Sequence, residues 1–374
     1  MVLFDKSTYR DINEFGIMIP MCASRPQTIA DNLKQNHCTF PVHNLKEAAD
    51  LLHITEPIIT RADLERTHSK EYVARLYNDP PFKDGLKKII LTAYEILNTD
   101  GSVIVKNDAN PLDDSARYIP EKATKPIEEL FQSSMSRVEG CYLTARLALS
   151  DYCAPVPHFC YFLEGGAHHC RYDAPSGFGF LNDVMITAQK LIEEKAASLI
   201  WIVDVDAHKG DGTAELVKFA RDRGGIYAGT PPKILALSAH MAQGWPLDKE
   251  SLEKAVPGRA PLVPSDVDVP VESGEEANYV QLLAKGFEQL EKKSCGKKPD
   301  LVIVDDGMDV YEKDQLPSTA LLNMTLEQCL ERDKFIFSYL QDRGIASAWY
   351  MAGGYGEDVW EPTVNFLLSL NTKS

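Results

Sequence analysis

The chain has 374 residues, 44% hydrophobic and 25% charged, a globular composition long enough to bury a sizeable core. Its formal net charge of −16 argues against nucleic acid or an anionic membrane surface as a direct partner. Eight cysteines without a C-x-x-C pair, and no run near the roughly 18 apolar residues of a spanning helix, argue against zinc-finger, thioredoxin-type and membrane readings.

The first residues, "MVLFDKSTYRDINEF", carry charge where a secretory signal needs an apolar run, so the expected location is cytoplasmic, in a reducing compartment. Residues 1–98 read as a mixed, mainly helical part, with helices near 26–36, 61–78 and 85–98. The stretch 101–133 is polar, has three prolines and reads as a long loop or surface excursion. Beyond it, short apolar runs at 159–163, 198–205, 233–240, 300–307 and 345–354 alternate with helical patterns at 183–197, 213–223, 277–293 and 325–343. The strands are apolar throughout, as expected of strands covered on both faces. The expected fold is therefore α/β: one domain over 1–374 with a central, mainly parallel sheet between helical layers.

Each of those strands runs out into an unusual cluster. The clusters are "EGGAHHCRYDAPSGFGFLND" after 159–163, "DAHKGDG" after the second strand, "AHMAQGWP", "DDGMDVYEKDQ" and "AGGYGED". Ligands of open parallel sheets bind outside the carboxyl ends of the strands. His168, His169, Asp206, His208, Asp309 and Tyr355 are thus expected on one rim. Asp206 and His208 are two apart in extended chain and point to one side, so they can grip one metal ion with Asp309 as the distant third ligand. One imidazole and two carboxylates suit Zn²⁺ and admit Fe²⁺, Co²⁺ or Mn²⁺, with one coordination position left open. Asp204 and Asp211, not needed for metal, are placed to accept a hydrogen bond from one imidazole each of His168 and His169.

Together "GGAHH", "SGFGFLND", "DVDAHKGDGT", "GMDVYEKD" and "GGY", in this order from about 159 to 356, resemble the zinc-dependent histone deacetylase family with its arginase–deacetylase fold. The family includes bacterial deacetylase-like amidohydrolases and acetylpolyamine amidohydrolases. Weaker similarity lies in "SRPQTI" (24–29) and "THSKEYVARL" (67–76).

The resemblance implies that Asp206, His208 and Asp309 hold one Zn²⁺. It implies His169 as general base and acid with His168 beside it, Asp204 and Asp211 behind them, and Tyr355 as hydrogen-bond donor to the oxyanion. Gly177, Phe178 and Trp245 would line an acyl-lysine channel, with Leu316 near its mouth. Asp204, Asp206, His208, Ser238 and Ala239 fall where the family binds a monovalent cation, expected to be K⁺, and Arg25 falls where an arginine lines an inner cavity. The implied reaction is hydrolysis of Nε-acetyl-lysine in a peptide or protein. The alternatives are an amidohydrolase acting on acetylated polyamines or other small amides, and a binding protein without turnover. Three positions depart from the family pattern: Lys209 follows the metal histidine, Ala352 opens the tyrosine motif, and Trp245 replaces a smaller aromatic.

Overall fold

The computed structural model describes the chain except at residues 9, 20, 56, 99–100, 103–116, 154–155, 223–231, 249–251, 253–261 and 372–374. Eight parallel strands form one sheet: β1 (Val2–Leu3), β2 (Val42–His43), β3 (Phe159–Phe162), β4 (Ile200–Asp204), β5 (Ile234–Met241), β6 (Val267–Val271), β7 (Leu301–Asp306) and β8 (Ala346–Met351), in the order β2-β1-β3-β8-β7-β4-β5-β6. The helices are α1 (Arg25–Gln35), α2 (Leu45–Leu51), α3 (Arg61–Thr67), α4 (Lys70–Leu76), α5 (Gly85–Ala93), α6 (Glu129–Ala148), α7 (Asp183–Glu193), α8 (Asp211–Asp222), α9 (Tyr279–Lys293), α10 (Leu326–Asp342) and α11 (Glu361–Ser369). None of the described helices is long and apolar enough to cross a membrane.

The unbroken apolar runs follow from two cores, one on each face of the sheet. In β4, Ile200 and Ile202 enter one core with α2 to α8, whereas Trp201 and Val203 enter the other with α1, α9, α10 and α11. Successive side chains of a strand point to opposite faces, so both sets of positions must be apolar.

Four features depart from the sequence reading. The two-residue strands β1 and β2 are too short to leave a pattern, and β6 carries Pro270 at an edge of the sheet, where a missing N–H is tolerated. The helix expected over 61–78 is two helices: Thr67 ends α3, and the Ser69 side chain accepts from Tyr72 N to start α4. Between them the buried His68 stands extended, its Nδ1 on Arg171 O at 2.9 Å and its Nε2 accepting from Asn182 N at 3.2 Å. The 85–98 helix ends at Ala93. Of the 101–133 excursion, residues 103–116 lie outside the described residues. Its described end is ordered structure: Tyr118 bridges to Ile17, and α6 already begins at Glu129.

Candidate functional site

Five adjacent strands, β3, β8, β7, β4 and β5, send their carboxyl-end loops to one rim. Asp206, His208 and Asp309 each offer one ligand atom within 4.8 Å of the others, and all three are buried. His208 Nδ1 lies 3.3 Å from Asp206 Oδ1 and 3.0 Å from Asp309 Oδ2. Against burial, the adjacent Asp206 and Asp309 carboxylates hold the His208 imidazole up to about 10, while burial and the Asp206 charge push the Asp309 carboxyl above the usual range. Asp309 Oδ2 has no hydrogen-bond donor among the described residues, although Asp309 Oδ1 accepts from Ala207 N at 2.8 Å. Two crowded buried carboxylates, one with an orphaned oxygen facing an imidazole nitrogen, are the donor set a dication satisfies. The residues fit a metal ion.

The approach is close enough to exclude a side chain beside it. Gly353 N donates to Asp206 Oδ2 at 3.0 Å, and a Cβ on Gly353 would stand 2.4 Å from that oxygen and 2.8 Å from Asp309 Oδ2.

Two imidazole–carboxylate pairs stand beside this cluster. His168 Nδ1 meets Asp204 Oδ2 at 2.7 Å and His169 Nδ1 meets Asp211 Oδ1 at 2.8 Å. An ionised carboxylate only accepts, so each Nδ1 carries a proton, and Nε2 is a free acceptor only on a ring that is neutral. The pairs diverge in protonation. Burial opposes charge on His168, but the charges of Asp204 and Asp206 hold it well above its ordinary value. Burial and repulsion from His168 push His169 down to about 4, despite Asp211.

The remaining expected residues line a slot of about 210 Å³ over the cluster. Gly177, Phe178, Trp245, Leu316 and Tyr355 all bound it, together with His169 and His208. Trp245 stands edge-on to His169 at 4.5 Å and to His208 at 5.4 Å between ring centroids. A tight turn with reciprocal Ser176–Gly179 hydrogen bonds presents Phe178 edge-on to Tyr355 at 5.9 Å. Gly177, in the left-handed region at φ +54°, leaves room for the His169 ring: a Cβ there would lie 2.2 Å from His169 Cδ2. Tyr355 N donates to Asp314 Oδ2 and Gln315 N donates to Tyr355 O, both at 2.6 Å, which ties the tyrosine loop to the loop after β7. Burial, with the Asp309 and Asp206 charges nearby, keeps its phenol protonated far above pH 10.

Ser238 sits in register with Asp204 on β5, and its Oγ accepts from Gly210 N. The next residue, Ala239, has its carbonyl on the Tyr279 hydroxyl at 3.4 Å. Arg25 is buried beside Gly353 and Gly354, its Nη1 donating to Ala352 O and Gly353 O. The departure Lys209 is buried and points away from the slot, its Nζ on Ser265 Oγ and Asp268.

Sequence reasoning missed residues that act at one remove. Arg171 Nε and Nη2 both donate to Asp211 Oδ2, at 3.1 and 2.8 Å. Its place two residues after the histidine doublet was the available signal. Arg332 is fully buried and donates to Val205 O, Gly307 O and Asp306 Oδ1, so it clamps the two loops that carry Asp206 and Asp309. Its signal was a charge on the apolar face of α10, three residues after Cys329 and four before Ile336. Ser318 Oγ, 3.2 Å from His208 Nε2, had no signal at all.

A parallel sheet whose central loops bring a His/Asp/Asp cluster, two imidazole–carboxylate pairs and a tyrosine to one slot defines an arginase–deacetylase-type α/β protein. The histone deacetylase domain model matches residues 19–369, and the chain belongs to that family. It is 31% identical over 229 residues to an uncharacterized protein of Picosynechococcus sp., covering 61% of this chain and 64% of that one. It is 29% identical over 250 residues to the acetoin utilization protein AcuC of Staphylococcus aureus, covering 66% and 58%. The match thus spans somewhat under two thirds of these relatives' length. A crystal structure titled acetylpolyamine aminohydrolase, from Burkholderia pseudomallei, shares the fold with a TM-score of 0.60 at 18% identity over 98% of this chain and 96% of that one.

Proposed function

We propose that the chain is a zinc-dependent deacetylase that hydrolyses Nε-acetyl-lysine in peptides or proteins. The observation that carries this reading is the convergence of three buried ligand atoms, the His169–Asp211 pair and Tyr355 on one narrow slot. Asp206, His208 and Asp309 hold the metal, which when bound acidifies a water and polarises the acyl carbonyl. Neutral His169, fixed through Nδ1 by Asp211, takes a proton at Nε2 and returns it to the departing amine. His168, held charged by Asp204, supplies positive field beside it. Tyr355 donates its hydroxyl hydrogen to the oxygen that gains charge. Phe178 and Trp245 flank the methylene stem of the lysine and keep water out.

Ser238 and Ala239, with Asp204, Asp206 and His208, are proposed as the place of a K⁺ ion; Fe²⁺ or Co²⁺ is proposed as a substitute for zinc. Acetylated polyamines are the second reading, favoured by the net charge of −16. Two mouth residues support peptide instead: Leu316 is apolar, and the Glu95 carboxylate is already held by Arg117 at 2.8 Å.

The test is hydrolysis of an acetyl-lysine peptide, acetylputrescine and acetylspermidine by zinc-loaded and chelated protein. Zinc-dependent turnover with the peptide preferred is expected. No turnover of any substrate in the zinc-loaded chain overturns the reading, and a preference for the polyamines replaces it with the second.

A further inference from the structure

The slot does not end at Tyr355. Gly177, Phe178 and Tyr355 also border an inner chamber of about 120 Å³. Gly353 lies in its wall, packed against the Asp206 and Asp309 carboxylates, so the chamber begins where the metal ligands end. If the lysine stem fills the slot and the acyl carbonyl lies at the cluster, the chamber is the space left for the rest of the acyl group.

That space is not built for a hydrocarbon tail. Arg10, Arg25, Arg137 and Glu164 line it, in a chain whose net charge is −16. Among the described residues Arg25 uses only Nη1, on two backbone carbonyls; its buried Nε and Nη2 have no partner there. Arg137 donates through Nη2 to Ser134 Oγ at 3.0 Å, and its buried Nε has no partner among the described residues. Arg10 Nη2 is on Ser7 O. Glu164, the one acid lining the chamber among the described residues, feels the charges of Arg137, Arg25 and Arg10 but makes no salt bridge with Arg25 or Arg137 there. Buried guanidinium N–H groups without acceptors are costly, and a carboxylate is the ligand their planar fork matches. At about 120 Å³ the chamber is well above the ~10–15 Å³ that admits one water, room for a short carboxyl-ended tail.

We propose that this chamber is a subsite for an acyl tail that ends in a carboxylate, so that the substrate class extends to succinyl- and glutaryl-type lysine amides. The inference rests on the deacylase reading above. Water adds its oxygen to the acyl carbon, the amide C–N bond breaks, and the amine leaves with a proton, releasing lysine and a dicarboxylate. Arg25 and Arg137 bind the tail and touch no reacting bond.

The experiment compares kcat/KM for succinyl-lysine and valeryl-lysine peptides, which are similar in length and differ in terminal charge, with acetyl-lysine peptide alongside. At least a ten-fold preference for succinyl over valeryl is expected, falling toward one in Arg137→Met. Acetyl hydrolysis with no succinyl preference overturns the inference and leaves the deacetylase reading standing. If no peptide is cleaved, that reading fails, and the chamber is tested by calorimetric titration with free succinate. Heat of binding that disappears in Arg137→Met supports the subsite; no heat in the unsubstituted chain overturns it. Should Arg137→Met fail to fold, Arg137→Lys, which keeps the charge but loses the fork, takes its place with a smaller loss of preference expected.

Discussion

His168 and His169 are neighbours in sequence, equally buried, and each hydrogen-bonded through Nδ1 to one aspartate. Their environments push them in opposite directions. Around His168 stand Asp204, Asp206 at 3.7 Å and Asp305 at 3.7 Å, an excess of negative charge. His169 is hydrogen-bonded to one carboxylate, Asp211, already shared with Arg171; Asp206 lies within 4.8 Å, and the cationic His168 and His208 repel a proton on its ring. The same side chain with the same partner type becomes a fixed cation in one place and a proton acceptor in the other. Second neighbours decide the difference, because in a low-dielectric interior a charge several ångströms away still outweighs solvent screening.

The largest effect tests the shared foundation of both pairs. Asp309→Asn is expected to lose stoichiometric zinc, read as metal content per chain after dialysis, and with it all measurable turnover. A variant that keeps one zinc per chain would remove Asp309 from the ligand set. Next comes the division of labour itself. His169→Ala is expected to slow turnover by about two to four powers of ten, and His168→Ala by less; equal losses would erase the distinction between the pairs.

Tyr355→Phe is expected to slow turnover by about two to three powers of ten with the thermal midpoint unchanged. Unaltered kcat would mean that the phenol faces no developing charge. Arg332→Lys loosens the clamp on the Asp206 and Asp309 loops. Zinc affinity, measured by competition with a chelator, is expected to fall about 10–100-fold, and an unaltered affinity would make Arg332 a purely structural residue.

The smallest effect concerns a histidine outside the site. Burial pushes the His68 imidazole down to about 4, despite its hydrogen bond to Arg171 O. Above pH 6.5 it is neutral both folded and unfolded. As pH falls below 6.5 the unfolded chain takes up a proton that the folded one refuses until about pH 4. Stability is lost through that window, by up to about 3 kcal/mol. Denaturant midpoints at pH 7 and pH 4.5, in the unsubstituted chain and in His68→Gln, measure this. A pH-dependent loss that is the same in both would assign it to other groups.

Much of the site was legible because strand ends are legible. An apolar run such as 300–304 has few alternatives to a buried strand, and the acids and histidines following five such runs have nowhere to go but the carboxyl-end rim. The short strands β1 and β2 were not readable, since two residues show no period. The break at His68 was not readable either, because a ring drawn out to Arg171 and Asn182 overrides local helical preference.

The sequence by itself determined the alternation of elements, the double-sided sheet and the set of polar residues at its edge, since periodicity and burial are properties of neighbours along the chain. Only the tertiary structure decided which histidine carries charge and that Arg332 spans two loops. It alone brought Arg10 and Arg137 to join Arg25 behind the slot. Those outcomes depend on electrostatics and contact across space, which fall off with distance through the fold and not with separation along the chain.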